Sequence, residues 1–177
     1  MGDILEKLKL IDSIVIELPI SKTEFIELLE NNIDQKQSDV FDVFSSSKNE
    51  YKGEVTIEGF ELKKKRRLFE MNINTAKAVG VFEEHEDTLI IHTEINAFQG
   101  QAKLIFGSFI LFYIIFISAF LFVGDDFPLF VLPFILLHAS FMIGVPYLLV
   151  KRSVRRMKYD LERDLYYLAT KKKGVQV

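Results

Sequence analysis

Two long apolar stretches constrain this chain more than any other feature. Residues 104–123 (LIFGSFILFYIIFISAFLFV) and 129–150 (LFVLPFILLHASFMIGVPYLLV) contain no Lys, Arg, Asp or Glu. Each stretch is as long as the ~20-residue, mainly apolar helix that crosses the hydrocarbon core of a bilayer. The sequence therefore predicts an integral membrane protein with two transmembrane helices.

The connector between the two stretches, GDDFP at 124–128, allows little more than a tight turn. We therefore expect residues 104–150 to form an antiparallel helical hairpin. The remaining chain is divided into residues 1–103, which suffice for one small globular domain, and a C-terminal segment at 151–177.

The charges on the two sides of the second stretch differ and predict its orientation. The connector has no Lys or Arg, whereas residues 151–177 hold nine Lys and Arg against three Asp and Glu. Because basic residues beside a span stay in the cytoplasm, we expect a multi-pass plasma-membrane protein with both termini cytoplasmic. The basic residues nearest the span are also expected to contact anionic lipid headgroups. They are Lys151, Arg152, Arg155, Arg156 and Lys158.

The pattern of residues 1–103 predicts an α+β domain. Residues 13–20 (SIVIELPI) alternate apolar and polar side chains, as a strand does. Ser21 and Glu24 form an S-x-x-E capping box that begins one early helix, and the polar residues 31–39 are expected to be a loop.

Two hairpins are expected after this loop. Glu58-Gly59 separates two alternating segments, so that Ile57 should pair with Phe60, and a polar turn at 85–87 separates residues 78–83 from 88–97. Together these segments predict a mainly antiparallel sheet of four to six strands.

The C-terminal segment carries one apolar stripe among charged residues. The stripe recurs at helical spacing and predicts an amphipathic helix continuous with the second span. Its members are Val154, Met157, Leu161, Leu165 and Leu168. We expect the stripe to pack on the uncovered face of the sheet, since Asp160, Glu162 and Asp164 would be repelled by an anionic membrane surface, which is the alternative.

Short motifs in the sheet segments resemble a family of small bacterial two-span membrane proteins with a β-rich cytoplasmic domain. The motifs are Lys52-Gly53-x-Val55, Gly59-Phe60-x-Leu62, Val79-Gly80-x-Phe82 and Thr88-x-Ile90. The order of elements is also similar to the helix-grip (START-like) arrangement with a membrane hairpin before its last helix. The resemblance implies the same α+β fold and membrane anchor, and it carries no catalytic residues.

His138 is the one ionisable side chain well inside a span, and folding the hairpin sets Tyr113 at the same depth. An intramembrane His is a candidate for proton transfer or ligand contact. The alternative is that neutral His138, with Tyr113 and Ser140, joins the two helices by hydrogen bonds. Ser140 also begins a small-xxx-small pattern with Gly144, which could seat the first span or a second copy of the chain.

Other site chemistries find little support. The run Lys63–Arg67 lies in a segment of net charge −7 without interleaved aromatic residues, which argues against nucleic-acid binding. His92 and Glu94 share a strand face, but the chain has no cysteine to complete a zinc site. No P-loop, G-x-S-x-G or H-E-x-x-H motif is present. No cofactor or catalytic site is predicted.

These observations favour one function and leave a second open. We expect a membrane-anchored cytoplasmic module that binds an unidentified protein partner or another copy of itself. The alternative is a small oligomeric transport or channel subunit that uses His138.

Overall fold

The computed structural model describes residues 2–35, 49–65, 75–86, 88–122 and 129–171 of the 177-residue chain. The chain forms an α+β structure with a six-stranded sheet and four α-helices in these ranges. In chain order they are α1 (Gly2–Lys7), β1 (Ile11–Leu18), α2 (Lys22–Asn31), β2 (Ile33–Gln35), β3 (Tyr51–Val55), β4 (Gly59–Lys64), β5 (Lys77–His85), β6 (Thr88–Asn96), α3 (Gln101–Phe122) and α4 (Leu132–Lys171). A short 3₁₀ helix at Leu129–Val131 leads into α4.

The sheet has the strand order β1-β6-β5-β4-β3-β2 and is antiparallel except for the β2–β3 pair. The mainly antiparallel sheet agrees with the prediction, but the loop expected at 31–39 is wrong for Ile33–Gln35. These three residues pair with β3, where Ile33 lies opposite Tyr51 and is half-buried. One apolar side chain among polar neighbours is too weak a pattern to identify such a short strand.

The prediction of one early helix is also wrong, because α1 precedes β1. The sequence of α1 is short and acidic, and no capping box precedes it. Tertiary contacts hold it instead: Leu5 packs against the core, and the Leu10 amide donates to the Leu5 carbonyl. A helix of six residues depends on such packing rather than on its own propensity.

The hairpin of β3 and β4 has a different register from the predicted one. Val55, rather than Ile57, pairs with Phe60. Thr56 closes the turn, because its amide donates to the Gly59 carbonyl at 2.8 Å and its hydroxyl accepts from the Gly59 amide. The shift is two residues, so each side chain remains on the expected face of the sheet.

The inner face of the sheet forms the core of the domain. On β6, Leu89, Ile91, Thr93 and Ile95 are buried, as their alternation predicted. Gly80 of β5 lies beneath the Phe60 ring, where an added Cβ would approach a ring carbon to 2.4 Å. A side chain at this position would therefore displace the aromatic centre of the core.

Helix α2 covers part of this face. Its N-cap is Ser21, whose hydroxyl accepts a hydrogen bond from the Glu24 amide at 3.4 Å. Phe25 and Leu29 are buried, and the Phe25 ring meets the Phe82 ring edge-on with centroids 5.7 Å apart. The capping pattern predicted the start of this helix correctly.

Candidate functional site

Helix α4 connects two chemically different parts of the molecule without interruption. It runs for 40 residues, and α3 and α4 are each long and apolar enough to cross a membrane by length and composition. In its first half most large apolar side chains are exposed, whereas its second half buries one stripe in the core of the sheet. The buried stripe consists of Val150, Val154, Met157, Leu161, Leu165 and Ala169. Four of the five residues predicted for the stripe, Val154, Met157, Leu161 and Leu165, therefore lie in the core, whereas Leu168 is only partly buried against it.

Helix α3 leaves the domain beside the point where α4 enters it. Ala102 near the start of α3 and Val150 of α4 are buried in the same core. The Phe98 and Phe106 rings have centroids 5.6 Å apart, and the Tyr147 hydroxyl donates to the Leu8 carbonyl at 3.1 Å. Both apolar helices thus start from one end of the sheet domain.

The pair Tyr113 and His138 connects α3 to α4 within their apolar parts. The Tyr113 hydroxyl lies 2.7 Å from Nδ1 of His138, at the position where the sequence placed the two residues at equal depth. Tyr113 is buried, whereas His138 and Ser140 are exposed. The structure brings Tyr113 and His138 together but gives Ser140 no described side-chain hydrogen bond.

The five basic residues after the second apolar stretch divide into two groups. Lys151, Arg152 and Arg155 line an open cleft of about 510 Å³ together with Lys9 from the α1–β1 turn. The other group, Lys158 and Arg156, does not line the cleft.

Lys158 donates to the Asp12 carboxylate and to the Ser13 carbonyl, both at 3.0 Å. Its charge is thus used within the protein, to hold α4 against β1. Arg156 is half-buried.

Polar contacts fix the far half of α4 on the sheet. The Tyr51 hydroxyl donates to Asp164 at 2.8 Å, and Lys64 pairs with Asp160 at 2.7 Å. The Ser153 hydroxyl accepts hydrogen bonds from the amides of Thr75 and Ala76, which lie just before β5. Because hydrogen bonds are directional, these contacts restrict the orientation of α4 on the sheet more than apolar packing does.

The contacts with α4 shift the pKa values of Tyr51 and Lys64. Burial, and then the negative charge of Asp164, raise the pKa of Tyr51 above its ordinary value of 10.0. Burial lowers the pKa of Lys64, but the hydrogen bond and charge of Asp160, with Glu50, outweigh it, so that this pKa lies above 10.5. Both groups therefore keep their protons in the folded protein beyond the pH at which they lose them in water.

Sequence reasoning missed the sheet residues of these contacts, namely Asp12, Tyr51 and Lys64. The α4 residues of these contacts could have been identified from the sequence, because Asp160 and Asp164 lie four residues apart and flank the apolar stripe. In the sequence we used these charges only as an argument against contact with an anionic membrane surface. Their partners on the sheet depend on the angle at which α4 crosses the strands. Local sequence patterns do not predict this angle.

The basic run at 63–67 is divided among different contacts. Lys64 faces α4, and Lys65 is buried and pairs with Asp34 of β2. Lys63 lies on the outer face of β4, opposite Lys77 of β5. Arg66 and Arg67 lie outside the described residues. Lys64 and Lys65 thus contribute to the domain's own packing.

The outer face of the sheet carries exposed apolar side chains. Val15, Val79 and Val81 are 56%, 41% and 56% exposed and line a groove of about 820 Å³. His92 and Glu94 of β6 line the same groove, and Glu83 lies 3.3 Å from Nε2 of His92. Within the described ranges, no group of three His, Cys, Asp or Glu side chains is arranged to hold a metal ion.

Comparison with known proteins places the chain in no family. No family model matches it, and no match was found among curated proteins or among solved structures.

Proposed function

We propose that this protein is a membrane-anchored interaction module, in which α3 and α4 cross the bilayer as a hairpin and hold the sheet domain at the cytoplasmic surface. The continuity of α4 carries this proposal, because one helix contains both an exposed apolar half and a half buried in the domain core. An unbroken helix transmits position and orientation, whereas a flexible linker would not. The basic residues that follow the apolar half support a cytoplasmic location.

The outer face of the sheet is the proposed partner surface. It places exposed Val15, Val79 and Val81 beside the acidic side chains of Glu83 and Glu94. Apolar side chains clustered on an otherwise polar surface are typical of interaction sites. The chemistry fits a partner with an apolar patch and basic residues around it.

Site-specific photo-cross-linking in intact cells tests this proposal. A benzophenone side chain would replace Val15, Val79 or Val81, with Glu27 and Glu30 on the exposed side of α2 as matched controls. We expect one discrete cross-linked product from the three outer-face positions and none from α2. Equal products from all five positions, or from none, would contradict the proposed surface.

The transport subunit remains a second proposal, which the exposed His138 favours. A polar ring exposed on a membrane-spanning helix is costly unless another molecule contacts it, so oligomerisation around His138 would offset this cost. The variant His138→Leu separates the two functions. Loss of a proton or solute flux with unchanged outer-face cross-linking would favour transport, and unchanged growth and cross-linking would favour the module.

A further inference from the structure

We propose that the cleft between the α1–β1 turn and α4 binds the phosphate group of one anionic glycerophospholipid. Four cationic side chains line it, from Lys9, Lys151, Arg152 and Arg155. This inference rests on the proposed membrane insertion of α3 and α4 and adds a defined ligand site to it.

The charges of the cleft are available to a ligand. Asp12 is the acidic residue in the lining, and it already accepts a hydrogen bond from Lys158. None of the four lining cations forms an ion pair with a described side chain; Lys151 lies 5.7 Å from the centroid of the Tyr147 ring. Residues 1–103, which include Lys9, have a net charge of −7, so the cleft is a basic site beside a segment that is acidic as a whole.

The position of the cleft selects a lipid rather than a soluble anion. Lys151 and Arg152 lie three and four residues after Leu148, and Arg155 lies four and three residues after them, so all four line the same side of α4. Leu148 is 60% exposed and belongs to the apolar half of the helix, whereas Val154 closes the cleft on the domain side. A phosphate between the two arginines would thus leave the glycerol and acyl chains beside Leu148.

The chemistry of the side chains matches this ligand. An arginine guanidinium can bind two phosphate oxygens at once, and lysine adds a point charge. Lys9 has a left-handed backbone with φ of 56°, a conformation that glycine would adopt without strain. The chain thus keeps a cation in the cleft at a position where a glycine would fit the backbone better.

Native mass spectrometry of the full chain, released from detergent with defined lipids, tests the site. The probes are phosphatidylglycerol, phosphatidylcholine and inorganic phosphate. The test variant is Arg152→Gln with Arg155→Gln, and the matched control removes two exposed cations outside the cleft, Lys7→Gln with Lys103→Gln. Lys9→Gly is a further variant that should retain the fold, since it relieves the left-handed strain.

We expect the wild-type chain to retain one phosphatidylglycerol in preference to phosphatidylcholine. The arginine variant should bind it about thirtyfold more weakly and Lys9→Gly about fivefold more weakly, because each basic residue near the membrane contributes about fivefold. The control should resemble the wild type. Equal loss in the control, or displacement of the lipid by millimolar inorganic phosphate, would overturn the proposed site. Release of the chain from membranes by alkaline carbonate would instead contradict the membrane insertion itself.

Discussion

The Tyr51 hydroxyl in β3 donates a hydrogen bond of 2.8 Å to the carboxylate of Asp164, which follows 113 residues later in α4. The bond joins the strand next to the sheet edge to the last turns of α4, beyond the apolar half of that helix. Because Tyr51 is buried and Asp164 half-buried, the pair is shielded from water on the sheet side. It thus fixes the end of α4 that lies farthest from its apolar half.

Removing this hydrogen bond should loosen the domain without unfolding it. We expect Tyr51→Phe to lower the free energy of unfolding by about 1–3 kcal/mol, as for a hydrogen bond to a charged group. Asp164→Asn should cost a similar amount, and the double variant should cost less than the sum of the two. Denaturation of the purified protein in detergent, followed by tyrosine fluorescence or circular dichroism, measures all three. Additive losses would show that the two side chains do not interact.

The buried stripe of α4 should contribute more than the polar contacts. Leu161 and Leu165 are fully or almost fully buried, so each substitution to Ala should cost about 2–5 kcal/mol. Tyr166 lies on the same helix and is 57% exposed, and it provides the matched control. Limited proteolysis in membranes should cut the N-terminal domain faster in Leu161→Ala but not in Tyr166→Ala. Equal cleavage rates in the two variants would contradict the packing of α4 on the sheet.

Stability should fall in alkaline solution through Tyr51 and Lys64. Both pKa values are raised in the folded protein, so the folded state retains protons that the unfolded chain loses above about pH 10. The contribution of each group is complete below its ordinary pKa and declines as the pH rises beyond it. We expect the melting temperature to fall from pH 9 to pH 11, and to fall less steeply in Tyr51→Phe. If the melting temperature falls equally steeply with pH in the wild type and in Tyr51→Phe, Tyr51 does not cause the alkaline loss of stability.

The Tyr113–His138 pair should matter little to stability if the protein is an anchored module. Hydrogen bonds between membrane helices contribute about 0.6 kcal/mol on average. We therefore expect Tyr113→Phe and His138→Leu to shift the melting temperature in detergent only slightly and to leave membrane insertion unchanged. Loss of a defined oligomer in His138→Leu, observed by native mass spectrometry, would instead support the transport alternative.

Much of the fold can be predicted from the regular spacing of apolar residues in the sequence. The alternation in Thr88–Asn96 predicts its buried face, and the stripe through Leu161 and Leu165 predicts the packing of α4. These elements are long, and each repeats its pattern several times. Counting residues outward from the five-residue connector also predicted that Tyr113 and His138 lie at the same depth, and the two side chains are in contact in the structure.

The features that sequence reasoning missed are short or arise from tertiary contacts. Helix α1 and strand β2 have six and three residues, too few to repeat a period. The register of β3 and β4 depends on the hydrogen bonds between Thr56 and Gly59, whereas the sequence predicted a turn at Glu58-Gly59. The cleft around Arg152 includes Lys9, which lies more than 140 positions away. Local sequence patterns do not predict which residues so far apart in the chain line the same cleft.

Single-cysteine labelling can locate the sheet domain and the apolar helices relative to the membrane, because the chain contains no cysteine of its own. A membrane-impermeant maleimide would be applied to intact cells and to inside-out vesicles that carry Ile57→Cys, in the exposed β3–β4 turn, or Leu137→Cys, in the exposed apolar half of α4. We expect Ile57→Cys to react only in inside-out vesicles and Leu137→Cys to react in neither preparation until detergent is added. Labelling of Ile57→Cys in intact cells, or of Leu137→Cys without detergent, would contradict a cytoplasmic domain anchored by membrane-spanning helices.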